Sequence, residues 1–313
     1  MSKVLYHILT EVSPRFGQLV QIEEFLQLAE DPSSPKYYNI FSIPKPNGKQ
    51  RMIEEPAAGL KYTQQAILKV LNKVVPLHPA VHGLGERAVL QNARAHQGRR
   101  IVVKMDVYKF FPWTDINKFR HGFIQLLQHL EPADRIKAGD FVMQAEKFCF
   151  IDDHTKLRLP TGAPTSPYVS AIAFTGADYL LADYAQKNNL VYTRYIDDMT
   201  FSGDSYPSGL QREVRQIVEA SGYLVNREKT ERLYSDNHPQ VITGVQINGN
   251  GIPKQYRRNL RAELDHHARL HTELDDVLKG KLAFIAQVNG DLADKFHHYF
   301  DERVAIWENL RRY

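Results

Sequence analysis

Apolar residues recur along this chain with two distinct periods. Over the first 30 positions, Leu5, Ile8, Leu9 and Val12, then Ile22, Phe25, Leu26 and Leu28, return every three or four residues, the spacing of helices with one buried face. Pro14 divides the two runs, and Asp31-Pro32-Ser33-Ser34-Pro35 reads as a loop. The same period predicts helices over 57–75, 115–150, 167–186 and 209–221, with Ser166 as an N-cap and Gly222 as a stop. Three more helices fill residues 254–313, lined by Leu260, Leu264 and Ala268, by Val277, Leu278, Leu282 and Ile285, and by Leu292, Phe296, Tyr299, Phe300, Val304, Trp307 and Leu310. Elsewhere β-branched and aromatic runs predict strands. One hairpin spans 37–55 with its turn at Pro46-Asn47-Gly48, and a short strand covers Ile101 to Asp106. A second hairpin spans Leu190 to Gly203, and a strand over 223–226 leads into a turn at Arg227-Glu228-Lys229-Thr230. Strands and helices mixed without strict alternation predict an α+β fold.

The hairpin over 190–203 carries the chemistry. Val191, Thr193 and Tyr195 share one face, Tyr192, Arg194 and Ile196 the other, and Asp197-Asp198 forms the tip. Adjacent carboxylates on a turn repel each other. Taken alone, the pair is either ordinary turn chemistry or a cation site. Asp106, at the end of a second strand, adds a third carboxylate that could join them. Three such groups suit hard divalent cations, and Mg²⁺ takes a few carboxylates, keeps waters and completes its octahedron with substrate phosphates. Two ions held this way stabilise both the attacking and the leaving oxygen of a phosphoryl displacement.

Tyr195-Ile196-Asp197-Asp198 resembles the Tyr-x-Asp-Asp box of reverse transcriptases, and Asp106 with Phe110-Phe111-Pro112 is similar to their first catalytic motif. Residues 159–167, Leu-Pro-Thr-Gly-Ala-Pro-Thr-Ser-Pro, resemble the loop and helix start that lie between the two. The segment from Asn92 to His96, with its Asn-Ala-x-x-His pattern, and Ile242-Thr243-Gly244 resemble motifs of bacterial retron reverse transcriptases. The resemblance implies a right-hand polymerase fold. It would place N-terminal helices and fingers in 1–100, palm in 101–118, finger helices in 119–158, palm with the hairpin in 159–250, and a helical thumb in 251–313. It implies catalysis at Asp106, Asp197 and Asp198, with two Mg²⁺ ions (Mn²⁺ a possible substitute) and the Val107 carbonyl assisting. Lys45, Arg51, Phe111, Thr161, Gly162 and Lys229 would contact the dNTP, with Phe111 as an aromatic gate against the ribose 2′-hydroxyl. Asn92, His96, Tyr195, Thr243 and Gly244 would contact nucleic acid. Thr161 stands where the family usually has Gln, and Ile196 where retron enzymes commonly have Ala.

By the same resemblance the activity is RNA-directed DNA synthesis. Part of a structured non-coding RNA (msr-msd) would be copied into single-stranded DNA from a guanosine 2′-hydroxyl, giving branched msDNA used in anti-phage defence with a separate effector protein. The rival readings are a group II intron-like or other defence reverse transcriptase, and a catalytically silent RNA-binding scaffold.

Charge supports a nucleic-acid partner. The net charge is +4, but its distribution is uneven. Lys36, Lys45, Lys49 and Arg51 have no acid among them, and Arg87, Arg94, Arg99, Arg100, Lys104 and Lys109 face only Asp106. A solvated basic face is the alternative for either cluster. Lys254, Arg257, Arg258 and Arg261 mark the first C-terminal helix for the same partner, with a simple helical cap on the palm as the alternative. A single cysteine, Cys149, excludes an internal disulfide framework and a Cys-based zinc site. No apolar run is long enough to span a bilayer and no secretory signal opens the chain, so the expected location is cytoplasmic, with no membrane partner.

Overall fold

The computed structural model describes residues 2–45, 48–84, 88–236, 238–270 and 273–311. The turn expected at Pro46-Asn47 and the charge of Arg87 lie outside the described residues.

Three helices open the chain: α1 (Ser2–Val12), α2 (Pro14–Leu19) and α3 (Ile22–Glu30). Pro14 sits in the first turn of α2, where a missing N–H leaves no bond unmade. Strands β1 (Tyr38–Pro44) and β2 (Gln50–Pro56) pair antiparallel with Ile43 opposite Arg51. Then come α4 (Ala58–Val74), β3 (Val81–His82), α5 (Ala88–Ala95) and β4 (Ile101–Val107). The turn α6 (Phe110–Trp113) precedes α7 (Ile116–Leu127), whose N-cap Asp115 accepts from the Asn117 and Lys118 amides. Next are α8 (Pro132–Ala145) and the small hairpin β5 (Ile151–Asp152) and β6 (Leu157–Arg158).

The single helix expected over 167–186 is two, α9 (Ser166–Ala173) and α10 (Thr175–Lys187). The break falls at Phe174, which is fully buried with its ring 5.6 Å from Phe110 and 5.1 Å from Tyr223. Aromatic packing, invisible to a periodicity count, sets the break. Ser166 is the first helical residue rather than the cap, and its hydroxyl donates to the Pro160 carbonyl at 2.7 Å. Gly122 in α7 is required by the approach of α9: a Cβ there would lie 2.2 Å from the Ile172 carbonyl oxygen.

The chain continues through β7 (Val191–Tyr195), β8 (Asp198–Gly203), α11 (Leu210–Ala220), β9 (Val225–Tyr234), β10 (Val241–Ile242) and β11 (Val245–Gln246). Helices α12 (Lys254–Ala268), α13 (Asp276–Val288) and α14 (Gly290–Arg311) complete it. The strand expected to stop at Asn226 runs on to Tyr234, so Lys229 is a strand residue and not part of a turn. Pairing beside β4 overrides the polar local sequence.

Five strands form one sheet in the order β3-β7-β8-β4-β9. β3 runs parallel to β7, with Val81 opposite Arg194. β4 is internal, and every residue in it except Lys104 is buried. Tyr192, Thr193 and Arg194 of β7 are all buried, so both of its faces are covered. That is why an Arg lies on a fully covered strand, and it needs a partner there.

The chain divides into two compact units. Residues 1–84, 105–199 and 207–230 form one, with a core of Leu9, Phe16, Phe25, Leu60, Ile67, Phe119, Phe148 and Ile172. Cys149 belongs to this core, where burial pushes its thiol up to about 12 and leaves it inert as a nucleophile. The other unit holds 85–104, 200–206 and 231–313. Leu260, Leu264, Leu282, Ile285, Phe296 and Phe300 bind α12, α13 and α14 together in it, and a second cluster joins Leu90, Ala93, Val102, Ile242 and Val245. No described helix is long and apolar enough to cross a membrane.

Candidate active site

Asp106 lies near the end of β4, and Asp197 and Asp198 lie at the turn joining β7 to β8. Strand order makes β8 the neighbour of β4, and the Val107 amide donates to the Asp197 carbonyl at 2.9 Å. Pinned in this way, the three carboxylates offer oxygen atoms that all lie within 4.8 Å of one another. Asp106 is buried, Asp197 half-buried and Asp198 exposed.

So much negative charge in one place is costly without a cation. Burial, and then the charges of Asp198 and Asp106, push the Asp197 carboxyl up to about 6. Two neighbours partly compensate. Asn226 Nδ2 donates to one oxygen of Asp106 at 3.0 Å and Lys229 Nζ to the other at 2.9 Å. Partial burial works against the Lys229 ammonium, but the hydrogen bond and charge of Asp106 outweigh it, and its pKa lies above the ordinary lysine value. The donor set is all-oxygen, closely spaced and short of positive charge, which fits a hard divalent cation. Val107, whose amide fixes the tip, is the residue whose carbonyl was expected to assist. Asn226 carries no sequence signal for the site, because only the pairing of β9 with β4 brings it to Asp106.

The residues expected around the nucleotide divide by position. Arg51 is exposed on β2, and Lys45 is half-buried, its amide donating to the Lys49 carbonyl at 2.7 Å. Thr161 and Gly162 are tied to β2. The Glu54 amide donates to the Thr161 carbonyl at 2.7 Å, and the Thr161 amide donates to the Glu54 carboxylate at 3.0 Å. Gly162 has φ of 125°, and a Cβ there would meet Ile53 at 3.1 Å and the Glu54 carbonyl at 3.3 Å, so only glycine fits this approach. Glu54 is in turn gripped by Arg158 through Nη2 at 2.6 Å and Nη1 at 2.9 Å. Neither member of that pair was singled out from sequence. Phe110 is buried and Phe111 is half-buried beside it, with ring centroids 6.1 Å apart. Lys229, expected at the phosphates, lies beside the triad, with its Nζ 2.9 Å from Asp106.

Among the residues expected to meet nucleic acid, Lys254, Arg258 and Arg261 are exposed on α12 and Arg257 is half-buried. Tyr195 and Thr243 are half-buried and Gly244 is exposed; the Thr243 hydroxyl donates to the Val89 carbonyl at 3.3 Å. Asn92 and His96 require a correction. They are 1% and 0% exposed and offer no surface to a nucleic acid. A helical spacing of four puts both on one face, and here that face is turned inward. His96 Nδ1 shares a 2.6 Å hydrogen bond with the Ser202 hydroxyl of β8, so its role is internal.

Residues 43–247 match the family described as reverse transcriptase (RNA-dependent DNA polymerase). Retron Mx65 reverse transcriptase of Myxococcus xanthus is 31% identical over 304 residues, covering 91% of this chain and 69% of that one. Retron Mx162 reverse transcriptase of the same species is 31% identical over 285 residues, 80% of this chain and 57% of that one. Retron Ec86 reverse transcriptase of Escherichia coli is 27% identical over 260 residues, 80% of this chain and 77% of that one. With the carboxylate triad, the mixed α/β fold and these relatives together, the chain belongs to the reverse transcriptases, RNA-dependent DNA polymerases, and within them to the retron type.

Proposed function

We propose that this reverse transcriptase copies part of a structured non-coding RNA into single-stranded DNA, beginning at a 2′-hydroxyl of that RNA and leaving a branched RNA–DNA product. The observation that carries the reading is the convergence of Asp106, Asp197 and Asp198 within 4.8 Å in a chain of this family. Divalent cations held there, Mg²⁺ or in its place Mn²⁺, would supply the positive charge that phosphoryl transfer needs. The protein's own part is positioning and electrostatics, since phosphoryl transfer needs little covalent help. Asp106, Asp197 and Asp198 hold the cations, with the Val107 carbonyl as a further oxygen donor. Arg51 and Lys45 bind the triphosphate, Arg with the fork that suits phosphate oxygens. Thr161 and Gly162 line the nucleotide, and Lys229 lends charge to the departing pyrophosphate. Lys254, Arg257, Arg258 and Arg261 hold the phosphate backbone, and Tyr195, Thr243 and Gly244 lie along the primer and template. Fingers, palm and thumb take the residue ranges given by the family resemblance. RNA is selected by shape, stem-loops and 2′-hydroxyls. The biological role is anti-phage defence with a separate effector protein.

Two measurements test this. Sequencing the nucleic acid that copurifies with the protein is expected to return one defined RNA joined through a branch to short complementary DNA; mixed cellular RNA with no DNA attached overturns the retron reading. Phe111 excludes the ribose 2′-hydroxyl by bulk, so Phe111→Ala is expected to raise rNTP use relative to dNTP use on the order of 10–200-fold, the range that pocket size alone can discriminate. An unchanged ratio in single-nucleotide incorporation removes Phe111 from that role.

A further inference from the structure

Arg194 and Asp178 form a salt bridge in which both side chains are 0% exposed. Two buried charges cost desolvation that a pair of apolar side chains would avoid, so the bridge is poorly explained as a source of stability. Its geometry suggests another purpose. Arg194 Nε and Nη2 donate to the two oxygens of Asp178 at 2.8 and 2.5 Å, and the Tyr192 hydroxyl donates to the same carboxylate at 2.8 Å. The remaining guanidinium nitrogen, Nη1, donates to the Ile196 carbonyl at 2.6 Å. Phe174 and Phe110 flank the group, their ring centroids 4.8 and 5.6 Å from its central carbon.

Ile196 is the residue immediately before the acidic pair, and its φ is 57°. A β-branched residue rarely adopts that left-handed conformation, and one that does is held there by its surroundings. Here two bonds on consecutive carbonyls fix the turn. Arg194 takes the Ile196 carbonyl from the α10 side, and the Val107 amide takes the Asp197 carbonyl beside Asp106.

We propose that the buried Asp178–Arg194 pair is a positioning device: it anchors the Ile196 carbonyl, holds the strained turn, and so aims Asp197 and Asp198 at Asp106 to form the cation site. Arginine suits this place because three nitrogens spread over one plane reach both carboxylate oxygens and a carbonyl on the opposite edge, a span that the single nitrogen of a lysine ammonium does not cover. Arg194 and Asp178 touch neither substrate nor metal in this scheme. The inference rests on the reading of the triad as a metal site.

The test is Mn²⁺ binding, followed by the loss of the free-ion EPR signal, in Arg194→Lys. This variant keeps the charge opposite Asp178 and gives up the bond to the turn. Affinity is expected to fall about tenfold, the value of one charge-assisted hydrogen bond, with the Mg²⁺ requirement for primer extension rising in parallel. Glycine adopts positive φ without strain, so adding Ile196→Gly should suppress much of the loss, as a double-mutant cycle would show. A merely structural pair predicts a lower melting temperature, unchanged Mn²⁺ affinity and no suppression; that result overturns the proposal. Should Arg194→Lys fail to fold, Tyr192→Phe removes one hydrogen bond from Asp178 and no charge, and is expected to weaken Mn²⁺ binding about threefold; unchanged affinity there counts equally against the proposal. Asp198→Asn is the control. If it binds Mn²⁺ like the unaltered protein, the metal reading itself fails, whereas if it loses binding while Arg194→Lys does not, only the positioning role falls.

Discussion

Alanine at Asp197 or at Asp198 is expected to abolish primer extension on an RNA template, by roughly 10³-fold or more, because the cations proposed for this triad would supply several kcal/mol of transition-state charge stabilisation. RNA binding should survive, since the basic residues of α12 lie elsewhere in the chain. A stability measurement on Asp198→Ala separates function from folding. Asp198 is exposed, so its removal opens no cavity. Its charge is also one cause of the elevated Asp197 carboxyl, at about 6 against an ordinary 3.8. A carboxyl whose folded pKa is raised makes the folded protein progressively less stable as pH climbs from the ordinary value through the raised one. Without divalent cation the protein should therefore lose stability between about pH 4 and pH 6 through this group. Asp198→Ala should soften that loss and melt no lower than the unaltered protein at pH 7. A variant that is inactive and at least as stable marks a site built for function at the expense of stability. Retained polymerisation in either variant sinks the metal assignment.

Arg158→Ala should cost about 3–5 kcal/mol in denaturant unfolding, the usual penalty for leaving one member of a buried ion pair uncompensated. Glu54 is 6% exposed and would keep a charge with no cation in contact. The same substitution frees Asp153, whose carboxyl is now held well below the usual range by the Thr155 hydroxyl first and by Arg158 among its other partners. Function should change in a separable way. Glu54 anchors the Thr161 amide, so a loosened loop is expected to raise KM for dNTPs more than it lowers kcat at saturation. Replacing the pair together, Glu54→Leu with Arg158→Met, should recover much of the stability and leave KM elevated. If KM returns along with stability, the clamp serves the fold alone.

Both experiments concern residues that the sequence presents very differently. Asp197 and Asp198 announce themselves, because two adjacent carboxylates between apolar runs are chemically conspicuous wherever they occur. Glu54 and Arg158 look like ordinary charges on short strands, and only the meeting of β2 with the loop after β6 couples them. Lys229 shows the same limit in reverse. Its sequence neighbours predict a turn, whereas the structure puts it in β9 with its ammonium on Asp106. Asn92 and His96 were anticipated as contacts for nucleic acid, yet the face they share is buried.

By itself the sequence determined what is local: the helical and strand periods, the turn glycines, the order of the acidic motifs and the kind of cation their oxygens suit. These follow from backbone geometry and side-chain chemistry over a few residues. Tertiary structure alone decided which strands are neighbours, and with that which carboxylates meet, which arginine is buried and where α9 ends. Strand partners are chosen by contacts between residues far apart in the chain, and a one-residue change of register turns every side chain to the opposite face. No local pattern encodes that choice, so the three carboxylates were visible as ingredients in the chain and became one cluster only through the pairing of β4 with β8.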